Sequence, residues 1–321
     1  MGFIRRRIYT YIGILLVVTN LDFFLPRIAP GSAADILVTT ALNSSEQRQL
    51  LLARFGLNKP LYVQYYLFLK NLFATWPPNF GLSFQYYPRT VTSLIAARLG
   101  WSMLLMLSSL FLSVVLAYFM ARRSSLRVGK STDTAFMYGS ISSQTVPVFW
   151  IAMVLLWVFG FDLRWFPTFG TVTPNLPFGL AYVGSVVYHA ILPVVVMTLS
   201  IFGQNYIVLR GSIQEVLQSD YVVAARTRGL RDRILASAYI LRNSLLPLVA
   251  ILSFSMAGLV SRDVLVEAVF GYNGVGDLLV DGVVNHDYPV LEGTFFVLTL
   301  IIILGGLIGD LLLVRLDPRI K

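Results

Sequence analysis

The chain has no cysteine and only two histidines among its 321 residues. Without thiols there are no disulfides and no thiolate metal sites, and the redox compartment stays open. His189 and His286 stand far apart with no flanking ligand spacing, so neither belongs to a zinc-type motif. A membrane-embedded hydrolase needs a nucleophile beside a base, or a set of metal ligands, and neither histidine is placed for such work. Acidic residues are also few: 16 Asp and Glu stand against 25 Lys and Arg, for a net charge of +9.

What fills the chain is apolar. Hydrophobic residues make up 56% of it, and the mean hydropathy is +0.73. About 20 helical residues cross a hydrocarbon core of roughly 30 Å, so long uncharged runs read as membrane spans. Such runs fall at about 8–25, 99–120, 134–159, 188–209, 245–260 and 290–314. The expected fold is therefore an all-α membrane protein with six transmembrane helices. Residues 1–28 hold the N-terminal segment and first span, 29–98 an external segment, and 99–321 a five-helix core with a cytoplasmic loop at 210–244. The first run follows Arg5-Arg6-Arg7 and exceeds the 7–15 residues of a signal core, so it reads as a retained span. Asp22 near its far end suits an interface.

Within this frame the external segment predicts helices at 44–55 and 61–73, the second rich in Tyr, Phe and Leu. Pro147 is expected to kink the third span. Asn205 and Gln204 in the fourth either bond a partner helix or line a path, with packing favoured. Gly305-x-x-x-Gly309 in the sixth allows close helix approach, and Asp310 sits near its inner end.

The basic residues cluster between alternate spans: Arg5 to Arg7; Arg122, Arg123, Arg127 and Lys130; Arg210 through Arg242; and Arg315, Arg319 and Lys321. Loops rich in Lys and Arg stay in the cytoplasm, which puts both termini there and removes the need for a nucleic-acid partner. Val128-Gly129-Lys130-Ser131-Thr132 imitates the end of a phosphate-binding loop, but the first glycine of that motif falls at Ser124. ATP binding by this chain is disfavoured, and Lys130 reads as a topology anchor.

The stretch 220–247 is a polar island. Asp220 is expected to cap a short helix through Tyr221, Ala224 and Ala225, with Gly229 in a left-handed backbone past its end. Asp232 starts a second helix running toward Leu245. Small residues, a glycine elbow and flanking arginines such as Arg226 make a knob able to dock in a soluble partner.

Asp220-Tyr221-Val222…Ala225-Arg226…Gly229-Leu230, followed by Leu241-Arg242-Asn243…Leu245-Leu246-Pro247, resembles the coupling loop of ABC importer permeases of the oligopeptide/dipeptide class. Phe55-Gly56-Leu57-Asn58-Lys59-Pro60 and Asn79-Phe80-Gly81-Leu82-Ser83-Phe84 resemble the first external segment of the B-type subunit, with Asn58 and Asn79 where aspartate is usual. Glu267, Phe270, Gly274 and Gly276 are similar to the outer-gate signature. Asp287-Tyr288-Pro289 and the terminal Leu316-Asp317-Pro318-Arg319 match too.

The resemblance implies a type I ABC importer permease-like fold inserted in the lipid bilayer of the cell membrane. It implies a second homologous permease subunit as heterodimer partner, two ATP-binding subunits and an extracytoplasmic solute-binding protein, with no cofactor and no metal. Asp220, Tyr221, Ala224, Ala225, Arg226, Gly229 and Leu230 would couple to the ATPase. Arg262, Asp263, Glu267 and Phe270 are the candidates for the gate or path. Arg262 and Asp263 replace the family's small residues, and Arg262 either faces the path or snorkels to the outer interface. Members of the family take peptides, nickel complexes or oligosaccharides, so the substrate class stays open. A rival reading is an ion-coupled secondary transporter, whose carboxylate candidates are Asp310 and Glu267.

Overall fold

The computed structural model describes residues 2–28, 53, 55–229 and 242–316. The expected helix at 44–55, the second island helix from Asp232 and the Leu316-Asp317-Pro318-Arg319 ending fall wholly or mostly outside them.

The described chain is helical, with one isolated bridge between Leu82 and Thr90. The helices are α1 (Gly2–Ile28), α2 (Leu61–Phe73), α3 (Val91–Ser125), α4 (Ser131–Thr145), α5 (Val148–Leu155), α6 (Leu180–Gln218), α7 (Asp220–Thr227), α8 (Arg242–Phe270), α9 (Val275–Val284) and α10 (Tyr288–Leu316). Among the described residues four helices, α1, α3, α6 and α10, are long and apolar enough to cross a membrane; the bent pair α4–α5 makes up to five.

Three prolines show how context decides a helix's fate. Pro193 and Pro247 lie inside α6 and α8, which run through them. Pro147 instead divides the expected third span, and the two halves meet at 100°. The ring of a proline disfavours the α region for the residue before it. Val146 accordingly sits in extended backbone, at φ −78° and ψ 126°, and ends α4. Past α5 the chain widens into a π-helical turn, Leu156–Asp162.

The chain forms two compact units. One comprises residues 1–7, 103–272 and 302–321, and the other 8–102 and 273–301. In the first, α6 is the central helix, packed chiefly on α8 and α4. Its core gathers Ala117, Ala121, Phe202, Tyr206, Leu209, Ile213 and Leu248. Gly203 lets α4 come close: a Cβ there would collide with the Ser140 carbonyl and stand 2.6 Å from Ser143 Oγ. Asn205 is a packing residue, donating from Nδ2 to Ser113 Oγ at 2.8 Å, whereas Gln204 is exposed. Gly305 admits the Met256 side chain against α10. Near the chain's two ends, Arg7 Nε pairs with the buried Asp310 carboxylate at 3.3 Å.

The second unit is built around aromatic packing of Phe23 with Tyr65 and Phe68, and of Phe80 with Phe296. Asp287 starts α10. Its Oδ1 accepts from the Val290 amide, while Oδ2 accepts from Ser83 Oγ at 2.5 Å and the Gln85 amide at 3.0 Å. Arg27 donates to Glu292 at 2.5 Å, and Arg98 lies 3.3 Å from Asp277. Asp22, expected at an interface, is buried in this unit.

Candidate functional site

The short helix expected after Asp220 exists as a helix of its own. α6 ends at Gln218, Ser219 is extended at φ −71° and ψ 144°, and α7 begins at once. The amides of Val222 and Val223 donate to the Ser219 carbonyl at 3.0 and 3.1 Å. The cap thus falls one residue before the expected one, because Ser219 already supplies the extended residue and the carbonyl. Asp220 becomes the first helical residue, where a carboxylate complements the positive helix end.

The short helix divides by face. Val222 and Ala225 are buried, while Tyr221 (44% exposed), Val223 (51%) and Ala224 point outward. Beyond it Gly229 has φ +77°, the left-handed backbone expected of a glycine elbow. Arg226 lies in the helical backbone, and Leu230 falls outside the described residues.

The root of α7 is held by polar contacts that no local pattern announces. Arg210, on the last turns of α6, donates from Nε to Asp133 Oδ1 at 2.7 Å and from Nη2 to Oδ2 at 2.8 Å. Ser124 Oγ donates to the same carboxylate and sits 2.6 Å from the Tyr206 hydroxyl. The Gly129 amide donates to Asp133 Oδ2 at 3.0 Å. The glycine of the phosphate-loop lookalike is therefore committed to a carboxylate of its own chain.

The charged turn of α8 lies inside a longer helix. The fifth span is expected to end near Val260; the helix itself continues to Phe270, so Arg262, Asp263 and Glu267 are internal to it. Helical hydrogen bonding continues through charged residues when their side chains find protein to lie against. Neighbours on a helix point about 100° apart, so Arg262 and Asp263 do not pair. Asp263 and Glu267, one turn apart, are fully buried with their carboxyl groups interacting, and Phe270 is buried beside them.

Arg262 lies elsewhere, half-buried. Its guanidinium reaches back over Gly258, where a Cβ would stand 2.8 Å from Nη1. That is the direction toward the start of α8, away from its end at Phe270. At 1.5 Å per residue the charge sits roughly 18 Å inside the helix end at Phe270. In a helix that crosses a membrane, a cation at such depth costs about 2.5–3.5 kcal/mol. Among the described residues it has no hydrogen-bond or ion-pair partner. Of the carboxylates suited to an ion relay, Asp310 is engaged by Arg7, and Glu267 neighbours Asp263 rather than standing alone.

Comparison with known proteins places the chain in a family. Residues 113–321 match the family described as binding-protein-dependent transport system inner membrane component, and residues 1–106 match its N-terminal counterpart. The chain is 31% identical to an oligopeptide transport system permease protein, AppB, of Bacillus subtilis, over 100% of this chain and 99% of that one. It is 32% identical to a putative peptide permease protein of Brucella ovis, over 98% of each. With a dipeptide transport system permease protein, DppB, of Lactococcus lactis it shares 30% identity over 99% of both.

Proposed function

Because the chain belongs to the family of binding-protein-dependent transport system inner membrane components, we propose that it is the permease subunit of an ATP-driven peptide importer, with α7 as its docking element. The observation that carries this reading is α7 itself. It is a separate short helix, seated by Val222 and Ala225, that offers Tyr221, Val223 and Ala224 outward. An ATP-binding subunit gripping Asp220, Tyr221, Ala224, Ala225, Arg226, Gly229 and Leu230 would move α6 with it. Such a device needs two discrete packings biased by nucleotide and solute. The full assembly takes a second permease subunit, two ATP-binding subunits and an external binding protein. The relatives named above as peptide permeases support peptides as cargo.

Six crossings with both ends in the cytoplasm accompany this reading. The Arg7–Asp310 contact brings the beginning of α1 to the late turns of α10, and a chain whose ends share a side crosses an even number of times. Counting α8 and the bent α4–α5 pair gives the even total.

The absence of cysteine makes the test direct. Val223→Cys in the assembled transporter should cross-link to the ATP-binding subunit and resist an impermeant thiol reagent added outside intact cells. Labelling from outside, or no link to any ATPase, would overturn the assignment.

A further inference from the structure

We propose that Arg262 is an anion site on the translocation path, selecting substrates that carry a free carboxylate, such as a peptide's C-terminus, over neutral ones. The inference rests on the importer reading above. Four observations lead to it.

The guanidinium has no partner among the described residues, although it lies deep within α8. Nη1 lies over the open side of Gly258, 2.8 Å from where a Cβ would stand, so a side chain there would make the guanidinium shift. One flank of that turn is open, since Ala257, Ser261 and Leu265, spaced four apart, are all exposed. Two of these three are small, so a ligand can approach the charge. Finally, the nearby acids cannot neutralise it, because Asp263 and Glu267 are buried on a different face.

The chemistry of the ligand follows from the guanidinium. Its planar fork of N–H donors matches a carboxylate with two parallel hydrogen bonds, and these charge-assisted bonds are roughly twice as strong as neutral ones. A sugar hydroxyl offers no such charge. An acidic side chain of the second permease subunit would satisfy the same fork, and the test separates that outcome.

The complete transporter, with its own binding protein, is reconstituted in vesicles as wild type, Arg262→Gln and Gly258→Leu. Two probes are supplied at saturating loaded binding protein: a short-peptide library with free carboxyl ends, and the same library with amidated ends. ATP-dependent uptake of each by a variant is divided by that of the wild type, so that the binding protein's own preference cancels. The free-acid ratio should fall at least about 10-fold further than the amide ratio in Arg262→Gln, as expected from losing a hydrogen bond to a charged group. Gly258→Leu, which keeps the charge but makes it shift, should show the same bias. An equal fall for both libraries would assign Arg262 to subunit pairing and overturn the proposal, as would unchanged uptake of both. If the wild type moves neither library on ATP, the peptide-importer reading itself fails.

Discussion

Arg210 holds Asp133 in a two-pronged ion pair, with nitrogen–oxygen distances of 2.7 and 2.8 Å, across 77 positions of sequence. The pair fastens α6 to α4 a few turns before α7 begins. Both side chains are largely buried, so removing one leaves the other uncompensated. Asp133→Ala should destabilise the purified complex by about 3–5 kcal/mol, read from denaturant or thermal unfolding in detergent. Loss of well under 1 kcal/mol would show that the pair is solvated and holds nothing.

Gly229→Arg should leave membrane insertion and subunit abundance intact while abolishing ATP-driven uptake. The left-handed backbone at φ +77° disfavours any side chain, by about 1–2 kcal/mol, and a long cation there adds bulk beside α7. Uptake at the wild-type rate would remove this turn from the docking surface.

Gly203→Ala tests the α4–α6 contact. The new methyl meets the Ser140 carbonyl, which is backbone and can retreat only if α4 moves. Overpacking of this kind costs about 1–3 kcal/mol, and a larger residue such as Leu should prevent stable accumulation. The amount of folded protein after detergent extraction is the readout, and an undiminished Leu variant would refute the close approach.

Burial pushes the Asp287 carboxyl above its ordinary value, against the opposing effect of hydrogen bonds from Gln85, Ser83 and Val290. A raised value in the fold means that the protonated form is favoured there. The associated stability is complete below the ordinary aspartate value of about 3.9 and fades as pH rises through the higher folded one. Asp287→Asn cannot titrate, so the wild type should lose stability relative to the variant as pH climbs from that ordinary range. A gap between their unfolding midpoints that stays constant with pH, or runs the other way, would contradict this.

What could be read in the sequence was local. Residues 61–73 form the helix expected there, between Pro60 and the turn at Ala74. Gly229 takes the backbone that an elbow demands, because that requirement belongs to one residue. Partners distant in sequence were hidden: nothing near Arg210 points to Asp133, and nothing near Asp310 points to Arg7. Proline was ambiguous for the same reason. Val146 is β-branched and follows Ser142-Ser143-Gln144-Thr145, a stretch of mostly weak helix formers, so Pro147 breaks the helix. Pro193 is buried in α6, where the surrounding packing keeps the helix whole. The full length of α8 is not legible, because its charged turn reads as an end of the apolar run while Asp263 and Glu267 are enclosed by protein.

One residue, Ser219, separates a helix of 39 residues from the one that follows it. A joint that short has no slack. Its backbone amide and hydroxyl are both tied to the Val216 carbonyl, so it behaves less like a hinge than like a weld. A rigid rod of that length spans roughly 58 Å, and tipping it by about 5° sweeps its far end through some 5 Å. If an ATP-binding subunit pushes on α7 as proposed, leverage of this kind would turn a small push at the near end into a displacement as wide as a polypeptide backbone.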